Sequence, residues 1–142
     1  MTYGNVKFLV SALLAGDYTL TSVKEEQLML LSYAFNKLAT EADALKLFTT
    51  NKGENILREG KGNMFVRMPE LPEDDIDELD IDDELGYPAA RFIASFISKE
   101  SGGVHEREAY KLIRDYNSKV DSYLTSLEED RYQSSLGTTD DK

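Results

Sequence analysis

Ten of the residues between positions 70 and 84 are acidic: Glu70, Glu73, Asp74, Asp75, Asp77, Glu78, Asp80, Asp82, Asp83 and Glu84, with no basic residue among them. Carboxylates at this density can bind a hard cation, divide the work of a general acid and base, or simply present a negative field. A calcium loop of the EF-hand type needs oxygen ligands at positions 1, 3 and 5, glycine at 6 and a bidentate glutamate at 12. Started at Asp80, that register offers Asp82 and Glu84 but puts Leu85 at position 6 and Arg91 at position 12. Started at Asp75, it puts Leu79 at position 5. The loop fails both ways. An acid–base pair needs a pocket that drives two pKa values apart, whereas this run reads as solvated.

The other chemistry-bearing residues are few. His105 is the single histidine, and the pattern puts it at the surface in the first turn of the last helix. Gly53, Gly60 and Gly62 match neither the Walker nor the dinucleotide spacing. There is no cysteine, which excludes disulfides and thiolate metal sites and fits a reducing compartment. The expectation is a protein that is not an enzyme and uses no metal or cofactor.

The charge is local. The chain has 27 acidic and 16 basic residues, so the net charge of −11 is almost entirely the work of residues 70–84. A pI near 4.5 argues against docking on free nucleic acid or anionic lipid, which relies on Lys and Arg. The longest apolar run near the start, residues 8–15, is too short to cross a bilayer. Met1 to Lys7 offers one lysine and only a loose match to a secretory leader, so no membrane association or secretion is expected.

The elements that would carry these residues are mostly helical. Val6, Leu9, Val10, Leu13 and Leu14 share one helical face, with Gly16 as the left-handed stop. Ser22-Val23-Lys24-Glu25 has the form of a capping box. It leads into a second helix marked by Leu28, Leu31, Phe35, Leu38 and Ala42, widened by Met29, Leu30 and Ala34. Two β-prone runs, 55–58 and 64–67, flank a Gly-rich turn and predict a small hairpin over about 54–68. Pro69 and Pro72 hold the chain extended into the acidic segment.

Leu85, Ala89, Phe92, Ile93 and Phe96 define a third helix, with Asp80 to Glu84 at its positive end. Pro88 allows a helix that starts near Asp82 and kinks, or a short turn ahead of a helix beginning at Pro88; the first is preferred. A last helix runs from about Val104 to Arg131, longer than the globule is wide, and a polar tail follows over 132–142. Residues 1–131 are predicted to form one helical domain. On the last helix, Tyr116 and Val120 read as core, whereas Tyr123, Leu127, Tyr132 and Leu136 are a candidate partner interface. The earlier acidic residues, Glu70, Glu73, Asp74, Asp75, Asp77 and Glu78, face solvent as a linker, a basic partner, or a passage along which DNA must slide without sticking.

The order of parts resembles a known group. Phe65-Val66-Arg67-Met68-Pro69, then Leu79-Asp80-Ile81-Asp82-Asp83-Glu84-Leu85, then the Ala-rich helix of residues 89–97 and a long final helix recur in this order in the head-to-tail adaptor (connector, or neck) proteins of tailed bacteriophages. The resemblance covers about residues 5–130; Pro88 and the length of the acidic run depart from it. It implies a mostly α, four-helix adaptor-like bundle with a long C-terminal helix and a small β-hairpin. It further implies a virion structural protein made in the host cytoplasm and carried in the neck. Such a protein forms a homo-oligomeric ring, commonly a dodecamer, between the portal protein and a tail or nozzle protein, and DNA passes through without specific binding. Two other functions fit the residues alone: an acidic inhibitor that mimics DNA, and a helical protein-interaction module.

Overall fold

The computed structural model describes residues 1–48, the paired backbone of 56–57, and 68–140, with side chains through Gln133. The protein is mostly helical. Its order is α1 (Tyr3–Leu14), α2 (Lys24–Glu41), strand β1 (Ala44–Lys46), strand β2 (Ile56–Leu57), a 3-10 turn (Asp83–Leu85), α3 (Gly86–Ile97) and α4 (Gly102–Asp140).

Helix α3 is the central element. Gly86, Pro88, Ala89, Ala90, Phe92, Ile93 and Ala94 are all buried, because α1, α2 and α4 each pack on a different side of it. Small residues at Ala89, Ala90 and Ala94 let the neighbouring helices approach. Each outer helix contributes one apolar stripe at helical spacing: Tyr3, Val6, Val10 and Leu14 from α1; Leu31, Ala34, Phe35 and Leu38 from α2; Ala109, Ile113, Tyr116 and Val120 from α4. Burying each large member of these stripes is worth about 1.5–3 kcal/mol. Leu45, Leu79, Ile81 and Leu85 close the core from the connecting segments.

Several boundaries differ from the sequence reading. The capping box belongs to α1 and not to α2. Thr2 Oγ1 accepts the Asn5 N–H at 3.1 Å, and Asn5 Oδ1 accepts the Thr2 N–H at 3.0 Å. At α2 the cap position is Val23 and Ser22 makes no capping bond; Thr21 Oγ1 instead takes the Val23 N–H at 3.2 Å and donates to Glu26 at 2.6 Å. The left-handed stop of α1 begins at Ala15 (φ 54°) and continues at Gly16 (φ 84°).

Pro88 neither kinks a helix nor starts one. It lies in the first turn of α3, where a missing N–H costs nothing. Met29 and Phe96 sit at helical spacing with the core residues but point outward. Strand β2 pairs antiparallel with β1, Ala44 opposite Leu57 and Lys46 opposite Ile56, with an irregular register between. Residues 56–57 thus have the segment before them as one partner; the hairpin expected over about 54–68 otherwise lies outside the described residues. Finally, α4 does not stop at Arg131. Its backbone stays helical to Asp140, through most of what reads as a polar tail. No described helix is long and apolar enough to cross a membrane.

Candidate functional site

The acidic segment divides into two halves with different surroundings. In the second half the alternation Leu79, Ile81, Leu85 turns inward and drags one carboxylate with it. Asp82 is 1% exposed. Its Oδ2 accepts the Leu47 N–H at 2.7 Å and the Tyr116 hydroxyl at 2.6 Å, and its Oδ1 accepts the Phe48 N–H at 2.9 Å. Its own N–H donates to the Leu45 carbonyl at 2.8 Å. Asp82 therefore joins the end of β1, the approach to α3 and the middle of α4. A dry carboxylate is stable only when hydrogen bonds replace its hydration, and here two amides and a phenol do so. Burial, and then Asp82, hold the Tyr116 phenol well above its ordinary range, so it stays a donor.

Asp80 to Glu84, expected from the sequence at the positive end of α3, supply no side-chain cap to it, and the 3-10 turn has none either. Beside Asp82, Asp80 pairs with the buried Lys46 ammonium at 3.1 Å and accepts the Glu70 N–H at 3.1 Å. Glu84 forms a surface pair with Lys119 at 2.9 Å.

The first half, 70–78, is laid across the N-terminus of α1. The unsatisfied amides of that helix end are taken by its backbone: Tyr3 N–H to the Asp77 carbonyl at 3.0 Å and Gly4 N–H to the Asp75 carbonyl at 2.8 Å. Gly4 eases this approach, because a Cβ there would make a tight 3.1 Å contact with the Asp75 carbonyl oxygen. Lys7 pairs with Asp75 at 2.7 Å, and the Met1 ammonium pairs with Glu78 at 2.8 Å and with Asp83. Asp77 folds back on its own loop, accepting the Glu73 and Asp74 N–H groups, both at 2.9 Å. The amides of Asp74, then Glu73, hold the Asp77 carboxyl below its ordinary value of 3.8.

Of the six candidate acidic residues, Glu70, Glu73, Asp74, Asp75 and Glu78 are exposed and Asp77 is half-exposed. Glu70, Glu73, Asp77 and Glu78 rim a cleft of about 590 Å³ that Lys46, Leu71 and Pro72 also line, whereas Asp74 and Asp75 lie outside it. Ile76 stands at 84% exposure among them. Among the described residues no group of three or more acidic or histidine side chains is arranged to hold a metal.

The candidate interface on α4 is graded along its length. Tyr123 is partly exposed with its ring edge-on to Phe48, centroids 5.4 Å apart; Leu127 is half-buried; Tyr132 is 63% exposed. The Leu136 side chain lies outside the described residues. A second surface was not anticipated: Met29, Leu30, Tyr33, Phe96 and Ile97 line an apolar groove of about 590 Å³ between α2 and α3. The signal for it was present, since Met29 and Phe96 widen their stripes beyond what one neighbour covers. His105 is also misplaced by the sequence reading; it is buried, against Arg91.

Comparison with known protein families, curated proteins and solved structures finds no match.

Proposed function

We propose that this chain is a non-enzymatic virion structural protein, a head-to-tail adaptor whose copies form a ring between the portal protein and the tail and let DNA pass. The observation that carries this reading is the reach of α4. Its last fully buried residue is Val120, yet the helix continues to Asp140, about 30 Å further at 1.5 Å per residue. From Glu128 to Gln133 every side chain is exposed. A helix that leaves its own core in this way is suited to a partner, and the tyrosines along it suit an interface. The exposed carboxylates of 70–78 suit a wall that DNA slides past, because like charge suppresses phosphate contacts.

The test is mixing with purified portal, read by light scattering and electron microscopy. A ring, or a stable complex with portal, is the expected result. Deleting residues 132–142 is expected to abolish joining while the remaining helix content persists. A monomer that ignores portal and binds a basic nuclease would replace this reading with the DNA-mimic one. That rival is disfavoured by geometry: the exposed carboxylates are gathered on one loop beside α1 and not spread at phosphate-like spacing over a face.

A further inference from the structure

Where α3 gives way to α4, the two helices touch backbone to backbone. A Cβ on Gly102 would lie 2.8 Å from the Ser95 carbonyl oxygen, so glycine is what lets α4 begin here. The turn between them is closed by hydrogen bonds. The buried Ser98 hydroxyl oxygen accepts the Ser101 N–H at 3.0 Å, and the Ser101 carbonyl accepts the N–H groups of Val104 and His105, both at 3.1 Å. The His105 ring is buried at this corner, with Nδ1 3.0 Å from an Arg91 guanidinium nitrogen on α3. Arginine can only donate, so the contact is a hydrogen bond only while Nδ1 keeps its lone pair. A hydrogen bond here thus requires the neutral ring with its proton on Nε2.

We propose that His105 is a proton-sensitive latch on the α3–α4 corner: neutral, it accepts from Arg91 and ties the first turn of α4 to α3; protonated, it faces Arg91 as a second cation and the corner loosens. Three features of the surroundings oppose the charged form. His105 lies in the first turn of α4, where the helix dipole is unfavourable to positive charge. Arg91 has no carboxylate partner among the described residues that could absorb the added charge. On α4 itself Glu106 and Glu108 form no hydrogen bond or ion pair with the ring, and on α2 Lys37 lies over the Tyr33 ring. Burial first, and then Arg91, hold the imidazole below its ordinary value of 6.5.

The sign follows from linkage. A histidine depressed in the folded state leaves the unfolded chain binding more protons, so its contribution is complete above about pH 6.5 and is lost as pH falls below that. Because α4 leaves the core, a small loosening at its start is magnified at its far end. This latch does not depend on the adaptor reading and is tested on the free subunit.

The chain has one histidine and no cysteine, so both a ring titration and a pair of spin labels can be read without ambiguity. Asn36→Cys on α2 and Glu128→Cys on α4, both exposed positions, carry the labels. Between pH 7.5 and 5.0 the wild-type label distance is expected to broaden and the melting temperature to fall. The His105 signal should titrate below 6.5, and Arg91→Gln should move it upward. His105→Gln keeps an acceptor for Arg91 without titrating, and should make both the distance and the melting temperature insensitive over this range. Should that variant fail to fold, Arg91→Gln replaces it: removing the second cation should flatten the same pH dependence. The latch is overturned if His105 titrates at its ordinary value regardless of Arg91. It is equally overturned if distance and melting temperature stay constant as the ring protonates, or if His105→Gln responds to acid as the wild type does.

Discussion

Asp77 and Asp82 belong to the same acidic run, and each accepts two backbone amides, yet they do opposite things. The amides on Asp77 come from Glu73 and Asp74, four and three residues away, and the carboxylate tightens a surface loop. The amides on Asp82 come from Leu47 and Phe48, 35 and 34 residues away, and a phenol from α4 completes its shell. Both bond patterns satisfy a carboxylate. Only the second joins distant parts of the chain. The difference between them is the company each keeps: Asp77 follows the exposed Ile76, while Asp82 lies between Ile81 and Leu85, both buried. Composition made the segment look uniform; the apolar residues threaded through it decide which acids go inside.

The largest effect that could break this contrast is Asp82→Ala. It strands the buried Leu47 amide, the partly buried Phe48 amide and a phenol, and should cost about 3 kcal/mol or more, read by urea unfolding. A loss no greater than that of a surface substitution would remove Asp82 from the core. Tyr116→Phe takes one donor from the same carboxylate and should cost about 1.5 kcal/mol. Tyr3 supplies the opposite case: its hydroxyl is buried with no hydrogen-bond partner among the described residues. Tyr3→Phe should therefore be neutral or stabilising by up to about 1 kcal/mol, and a destabilisation would mean that the hydroxyl has a partner.

At the surface end of the scale, Glu73→Gln with Asp74→Asn should stay within about 0.5 kcal/mol of wild type. For Asp77 the informative variable is pH. Its folded value lies below 3.8, so the stability it adds is present above that value and lost as pH falls through the lower one. Asp77→Asn should be slightly less stable than wild type above about pH 4 and converge with it as pH falls, giving a flatter acid limb, as measured by circular dichroism.

The helical stripes were legible because each is written in consecutive turns: Val6, Val10 and Leu14, or Ala109, Ile113, Tyr116 and Val120, need only the helical period to be seen. What the sequence hid is non-local. Nothing near Asp82 announces that its partners are Leu47, Phe48 and Tyr116, and nothing near Ile56 says that it pairs backward with Lys46. The box at Thr2 and Asn5 was missed because asparagine replaces the usual acidic or glutamine partner, while Ser22 advertised a box that Thr21 and Val23 displaced. His105 looked exposed because helix-terminal histidines lie beside polar residues in sequence, and the Arg91 that covers it is on another helix. The acidic cleft and the outer stretch of α4 stand out in sequence as composition. Their surroundings come from packing.

The Asp82 junction also sets an order of events in time. Its partners lie 34 and 35 residues away on either side, so two large loops must close before the carboxylate can leave water. Closing them costs chain entropy that helix formation does not, which places these contacts after the helices have formed and met. Removing them is then expected to quicken unfolding far more than it slows folding. A residue that ties distant parts of the molecule together is thus among the last to be set, and its chief effect is on how long the folded subunit lasts.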